Sequence, residues 1–423
     1  LMSLLLNSLI VSEPTSKFYN QKINILIGSD GIIKKISKRK INNKTRRVID
    51  CQSKKVSVGW IDFNSNFCDP GNEYKEDLNS GINLASKSGF VDILLSSDTN
   101  PVIQTKNDII YIKNKSLNRL TSIHPTAAIT KNSTGIEMND IIDLYHSGAV
   151  AFSGGNSIIK NSELILKSLL YLDQIDGLYI SKPNDFNLSK GQVNDGINSN
   201  KVGLKGIPYI SETIGIKRDL SILEYVGGKI HFSGISTKNS VELIKKAKLK
   251  GLNVTCDVPI YNLLLDDSKI LNFETCYKVD PPLRTKKDID SLIIGLEDGT
   301  IDVISSYHQP QDIDSKNVEF DKASFGIISL QTFYSNLVEL SSKISFDILL
   351  DKFTRNPRRI LKLDQPEIKE GYRAILTIFD HNASWDYNEN TNLSKSINSP
   401  WMDWSIRGKV EGIVVGCETN ILL

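Results

Sequence analysis

The sequence is short of most things that mark a specialised chain. Its five cysteines (Cys51, Cys68, Cys256, Cys276, Cys417) in 423 residues are odd in number and lack C-x-x-C spacing. That excludes a disulfide framework and a thiolate zinc site, and leaves ordinary buried or half-buried thiols. Net charge is nearly absent, with 51 Lys plus Arg against 49 Asp plus Glu. This removes any electrostatic case for binding nucleic acid or an anionic membrane. Long apolar runs are missing too: Leu4–Val11 and 413–416 fall far short of the ~20 residues a bilayer span needs. No basic, apolar and small-residue signal precedes the first strand-like segment, so a soluble cytoplasmic protein is expected. Histidine is scarce, with five in all and no two close together.

What the chain does have is organisation. At 40% hydrophobic and 24% charged residues it can bury a large core, and its length suits one big domain with a smaller companion. Eight short β-rich runs end in loops, at 58–63, 90–97, 120–123, 149–153, 178–181, 229–232, 253–258 and 301–306. Helical patterns lie between them, such as Val241, Leu243, Ile244 and Ala247, or Ile289, Leu292, Ile293 and Leu296, with apolar residues three and four apart. Strands alternating with helices predict an α/β fold of the (β/α)8 TIM-barrel type over residues 54–366, because parallel strands need helical crossovers. Between the fifth and sixth runs, residues 190–205 are rich in Asn, Gly, Ser and Lys and predict an extended loop over the barrel mouth. Residues 1–53 and 367–423 alternate polar and apolar with turn residues. Neither end can close a core alone, so the two are expected to pair into a small composite β-sandwich domain.

A site in such a barrel lies at the C-terminal ends of the strands. There the chain offers Asn64, Asn66 and Cys68 after the first strand, Asp98 after the second, Gly154 and Gly155 after the fourth, and Lys182 after the fifth. Gly234 follows the sixth, Tyr261 and Asn262 the seventh, and Tyr307 and His308 the eighth. As a metal site this is poor: amide oxygens are weak neutral ligands, glycine offers no side chain, and an ammonium repels a dication. Gly154-Gly155 has no phosphate-loop context. Ser153, Ser305 and Ser306 have no His-Asp arrangement visible from spacing. His231 alternates within a strand and is expected to hydrogen-bond inside the fold, while His124, His146 and His381 read as structural or surface residues. Asp62, placed inside a strand, is expected to fix loop geometry. Asp98, Asp280 and Lys182 are candidates for a salt-bridged cluster.

Several segments together resemble dihydroorotases of the amidohydrolase superfamily. They are Gly59-Trp-Ile-Asp-Phe-Asn-Ser-Asn-Phe-Cys-Asp-Pro-Gly71, Asp69-Pro-Gly-Asn-Glu-Tyr-Lys-Glu-Asp77, Asp98-Thr-Asn-Pro-Val102, Ala127-Ala-Ile-Thr-Lys131, Gly148-Ala-Val-Ala-Phe152, Ile235-Ser-Thr237, Val279-Asp-Pro-Pro-Leu-Arg284, Asn356-Pro357 and Asn392-Leu-Ser-Lys-Ser396. The matches run in order over nearly the whole chain, including both ends. The resemblance implies a zinc centre at the barrel mouth and reversible cyclisation of carbamoyl aspartate to dihydroorotate in pyrimidine synthesis, with zinc-bound hydroxide attacking the ring amide and a carboxylate moving the proton.

Residue by residue, the chain departs from that pattern where the chemistry resides. The family's His-x-His falls on Asn64 and Asn66, its bridging aspartate on Gly154 or Gly155, and its fifth-strand histidine on Lys182 or, with a one-residue shift, on Ser181. The histidine before Val-Ser-Thr falls on Gly234 and the last-strand aspartate on Tyr307. Only His308 keeps the family's histidine. Substrate-contact positions carry Cys68 for arginine, and Asp98 and Asp280 for asparagines. Carboxylates there repel a dianionic substrate, at roughly several kcal/mol each in a low-dielectric pocket. The expectation is therefore no bound zinc, no catalytic residue, and a structural or regulatory role. Likeness to zinc-less dihydroorotase-like chains implies aspartate transcarbamoylase as a partner, and the family implies a homodimer. The rival expectations are an active cyclic-amide hydrolase with an unusual or metal-free site, and a small-molecule binding module in a mouth enlarged by Gly154, Gly155 and Gly234.

Overall fold

The computed structural model describes residues 2–42, 47–155 and 157–421. The chain opens with β1 (Leu4–Val11), β2 (Lys22–Ile27), β3 (Ile33–Ser37), β4 (Arg47–Asp50) and β5 (Lys55–Val58). The barrel then begins with β6 (Trp60–Ser65), β7 (Phe90–Leu95), β8 (Ser122–Ala128), β9 (Ala151–Ser153) and β10 (Tyr179–Ser181). After β11 (Val193–Asn194) and β12 (Gly206–Ile207) it is completed by β13 (Ile230–Phe232), β14 (Val254–Pro259) and β15 (Val303–Ser305). The chain finishes with β16 (Ile375–Tyr387), β17 (Trp404–Val415) and β18 (Glu418–Thr419).

The ends do pair. β16 and β17 are antiparallel, and β16 lies against β5, which runs parallel to β1, so one sheet of eight strands joins both ends of the chain. In β1 every second side chain from Leu4 to Leu6 is fully buried, and the register slips around Ser8, whose φ is +61°. That bulge moves β1 from its partner β4 at Leu4–Asn7 to β5 at Ile10–Val11. Leu4, Leu9, Ile23, Ile25, Val56, Leu376, Ile378 and Val414 share one apolar core within this sheet. Gly59, whose N–H donates to Ile375 O at 2.9 Å, leads from β5 directly into the barrel.

The eight parallel strands follow the order β6-β7-β8-β9-β10-β13-β14-β15. Helices cover the outside, and their capping follows the sequence: Thr237 caps Lys238–Leu249 and Thr285 caps Lys286–Glu297, each accepting from a backbone N–H in the first turn. The apolar positions 241, 244 and 247, and 289, 292 and 296, face the strands as their spacing predicts. Two expectations need correction. The third strand is Ser122–Ala128, longer than 120–123, because Pro125 and the small residues after it hid the pattern. The segment 190–205 is not a structureless loop. It holds β11 and the helix Ile197–Val202, with β11 paired to β12 and its Asn194 amide hydrogen-bonded to Asp267 and Arg284. Part of its polar composition serves these side-chain bonds, while Lys190, Asp195, Asn200, Lys201 and Lys205 are exposed.

The barrel closes between β6 and β15. At the base, Lys352 O and Phe353 O accept from Ile304 and Ile61 N–H and hold the two strands apart. Toward the mouth, Asn66 N–H donates to His308 O at 2.9 Å and Asp62 spans the seam. Asp62 is wholly buried and accepts from Ser65 Oγ (2.6 Å), Ser305 Oγ (2.9 Å), Ser306 N (2.6 Å) and Ser306 Oγ (2.8 Å).

Opposite the mouth, Asp92 on β7 accepts from His124 Nε2 at 2.8 Å and pairs with Arg358 at 2.6 Å, while Arg358 also donates to Gly59 O. His124 is thus a structural residue, though not an isolated one. Burial alone would raise the Asp92 pKa, but the His124 hydrogen bond and the Arg358 charge outweigh it and hold the carboxyl below its ordinary value. A depressed carboxylate stabilises the fold above the unfolded pKa of ~3.9, and this contribution is lost as pH falls through the folded value. Asp92→Asn is expected to cost about 2 kcal/mol at neutral pH, since asparagine retains one acceptor. In urea melts across pH the gap to wild type should close on acidification, and a gap of constant size would contradict the assignment.

Among the described residues, no helix is long and apolar enough to cross a membrane. Cys51, Cys68, Cys256 and Cys417 are buried and Cys276 is half-buried, all as free thiols.

Candidate functional site

A cavity opens at the C-terminal ends of the strands, and most of the residues singled out in the sequence converge on it. Asn64, Asn66, Asp98, Gly155, Lys182, Gly234, Asp280, Tyr307 and His308 all line it. Cys68 does not: it sits behind the wall with φ +58°, and burial pushes its thiol up to about 12. Gly154, Tyr261 and Asn262 also lie outside the lining, and Asn262 donates to Pro282 O at 3.0 Å.

The polar groups are committed to one another. Asn66 accepts from Cys68 N–H at 2.8 Å and donates to Asp98 O at 3.0 Å, tying the first two mouth loops together. Asp98 accepts from Ser96 Oγ at 2.7 Å. Of the expected ionic cluster, Lys182 and Asp280 form a salt bridge at 2.5 Å, and Asp98 lines the same cavity.

The centre of the site is Tyr307. Its hydroxyl donates to Asp257 Oδ1 at 2.7 Å and lies 2.6 Å from Ser233 Oγ, and Asn64 lines the same cavity. Asp257, wholly buried, also accepts from Gly234 N–H at 2.7 Å, His231 Nε2 at 2.9 Å and Ser233 Oγ at 3.1 Å. Burial first, and the Asp257 charge second, hold the Tyr307 phenol well above its ordinary pKa, so it remains a donor. His231 is internal, as its strand position implies, with Nδ1 on Thr255 Oγ1 at 2.8 Å.

The mouth is not enlarged by its glycines. A β-carbon on Gly234 would lie 2.8 Å from the Tyr307 hydroxyl, and one on Gly155 only 2.1 Å from Asp98 Oδ1. On Gly154 it would meet Ser157 O at 2.7 Å. The space that larger side chains would take is filled by Tyr307 and Asp98. Sequence spacing could not show this, because each glycine and its filler belong to different strands.

His308 is buried at 2% exposure. Its Nδ1 accepts from Ser329 N–H at 3.3 Å, which leaves Nε2 as the protonated nitrogen, 3.8 Å from Glu76 Oε2 and without a hydrogen bond. Glu76 is itself buried and held by Ser80 and Ser394, the latter from the C-terminal segment. Asp257, Ser233 and Glu76 escaped notice in the sequence. For Asp257 a signal existed, since a carboxylate inside an otherwise apolar strand run must find buried donors.

This donor set does not fit zinc. The positions the family's motifs assign to ligands carry two amides, an ion-paired ammonium, two glycines and a hydrogen-bonded phenol, where a divalent ion needs imidazole, thiolate or carboxylate. Among the described residues, no three His, Cys, Asp or Glu side chains gather to hold a metal.

A barrel with a composite terminal sheet is a fold shared with solved hydantoinase structures. The L-hydantoinase (dihydropyrimidinase) of Arthrobacter aurescens superposes with a TM-score of 0.85, covering 100% of this chain and 98% of its own at 17% identity, which shows the fold alone. A dihydro-orotase-like family model matches residues 54–240. The dihydroorotase of Trichlorobacter lovleyi is 34% identical over 419 residues, 98% of each chain, and that of Caldicellulosiruptor saccharolyticus is 37% identical over 419 residues, 98% of this chain and 97% of its own. The chain belongs to the dihydroorotase family.

Proposed function

We propose that this member of the dihydroorotase family holds no zinc and does not open or close the dihydroorotate ring, and that it serves pyrimidine biosynthesis as a structural or regulatory subunit. One arrangement supports the reading: the position of the family's last-strand carboxylate ligand is a tyrosine already bonded to Asp257 and Ser233. A ligand position occupied in this way cannot supply the carboxylate that positions and deprotonates a metal-bound water. In this reading the protein is a cytoplasmic homodimer and its partner is an aspartate transcarbamoylase.

The test is zinc content and turnover on one purified sample, in both directions of the reaction, with zinc added and with chelator. The expected result is no stoichiometric zinc and rates at the buffer background. Stoichiometric zinc with turnover would overturn the reading. Recovery of the transcarbamoylase on affinity purification from the native host tests the partner.

A second reading is retained dihydroorotase activity at an unusual site. It is favoured by relatives named dihydroorotase at 34–37% identity over nearly the full chain and by the cavity that persists beside Lys182 and Asp280. Turnover that survives chelation would select it.

A further inference from the structure

We infer that the Tyr307 hydroxyl supplies the cross-link between strand ends that a bound metal would supply at this mouth. The inference rests on the metal-free reading above and goes beyond it by naming what holds the mouth together instead.

The hydroxyl joins groups from three strands, Ser233 after β13, Asp257 of β14 and its own position after β15, and shares the cavity with Asn64 of β6. The ladders of β13 and β15 are three residues long and end at Phe232 and Ser305; beyond them single backbone bonds, such as Ser233 N–H to Ser181 O at 2.8 Å and Asn66 N–H to His308 O at 2.9 Å, are supplemented by side chains. Asp257 extends the link by gathering His231 and the Gly234 N–H. A phenol has one donor and two acceptor lone pairs, and here donation goes to a carboxylate, which makes it a charge-assisted bond.

Two further observations show that the site is built around this contact. Tyr307 sits at φ +52°, a region that a residue with a β-carbon enters only when its surroundings over-determine it. Gly234, at φ +72°, leaves the phenol the space that any β-carbon would take. The raised pKa of the phenol keeps the donating proton in place over the physiological range.

The test is hydrogen–deuterium exchange on wild type, Y307F and S233A. Y307F removes the hydroxyl and keeps the ring, whereas S233A removes one of its partners and serves if Y307F does not fold. The expected result is faster exchange in peptides covering 232–236 and 305–309, with the terminal sheet unchanged, and a Tm lowered by about 1–3 °C for Y307F. Chelator should leave wild-type exchange unaltered. Unchanged exchange at the mouth in the variants would overturn the cross-link alone. Loss of mouth protection in wild type on adding EDTA would show a metal doing this work and overturn the metal-free reading with it.

Discussion

Asp62→Ala is expected to be among the most damaging single substitutions in the barrel, lowering stability by roughly 4–5 kcal/mol. Asp62 bridges the seam where β6 meets β15, and the two strands are joined there by few other bonds. Alanine would leave the Ser306 N–H and the Ser65, Ser305 and Ser306 hydroxyls without the buried acceptor. A buried donor stripped of its partner costs ~1–3 kcal/mol, with partial recovery where hydroxyls rotate to new acceptors. Asp62→Asn keeps one acceptor oxygen and should fall between alanine and wild type. Guanidinium melts would measure this. A midpoint shifted by no more than an ordinary surface substitution would mean that the seam is held elsewhere, for example by the contacts of Lys352 and Phe353.

Gly234→His, which supplies the imidazole that the resemblance implies at this position, is expected to destabilise the protein by about 3 kcal/mol and not to recruit zinc. Its β-carbon would stand 2.8 Å from the Tyr307 hydroxyl and 3.2 Å from Pro281 Cδ, on a backbone at φ +72°. Left-handed backbone costs ~1–2 kcal/mol for a residue with a β-carbon, and overpacking adds ~1–3 kcal/mol. The clash depends on Tyr307. The double variant G234H/Y307D should therefore be more stable than the sum of the single changes predicts, a coupling that a double-mutant cycle measures directly. Additive losses would mean that Tyr307 does not fill the space Gly234 leaves. Zinc bound by G234H alone would contradict the donor-set argument.

The departures from the metal-site pattern that the resemblance implies are legible in single residues. Whether a side chain can hold zinc is a property of its own donor atom, so Asn64, Asn66, Lys182, Gly234 and Tyr307 declare themselves one residue at a time. What took the place of the ligands could not be seen this way. Gly234 suggested an opened mouth when taken alone, and Tyr307 a lost carboxylate. Only their approach across the barrel shows that the glycine and the tyrosine fit each other. Cys68 illustrates the converse: its place after the first strand suggested a site residue, but a left-handed backbone turns it into the wall.

By itself, the sequence determined the alternation of strand and helix and the pairing of the two chain ends, because periodicity and capping are local. The tertiary structure alone decided that Asp62 reaches Ser306, 244 residues away, and that Tyr307 bonds Ser233 and Asp257, 74 and 50 residues away. Barrel closure sets those distances through strand tilt and register, which no short stretch of sequence encodes.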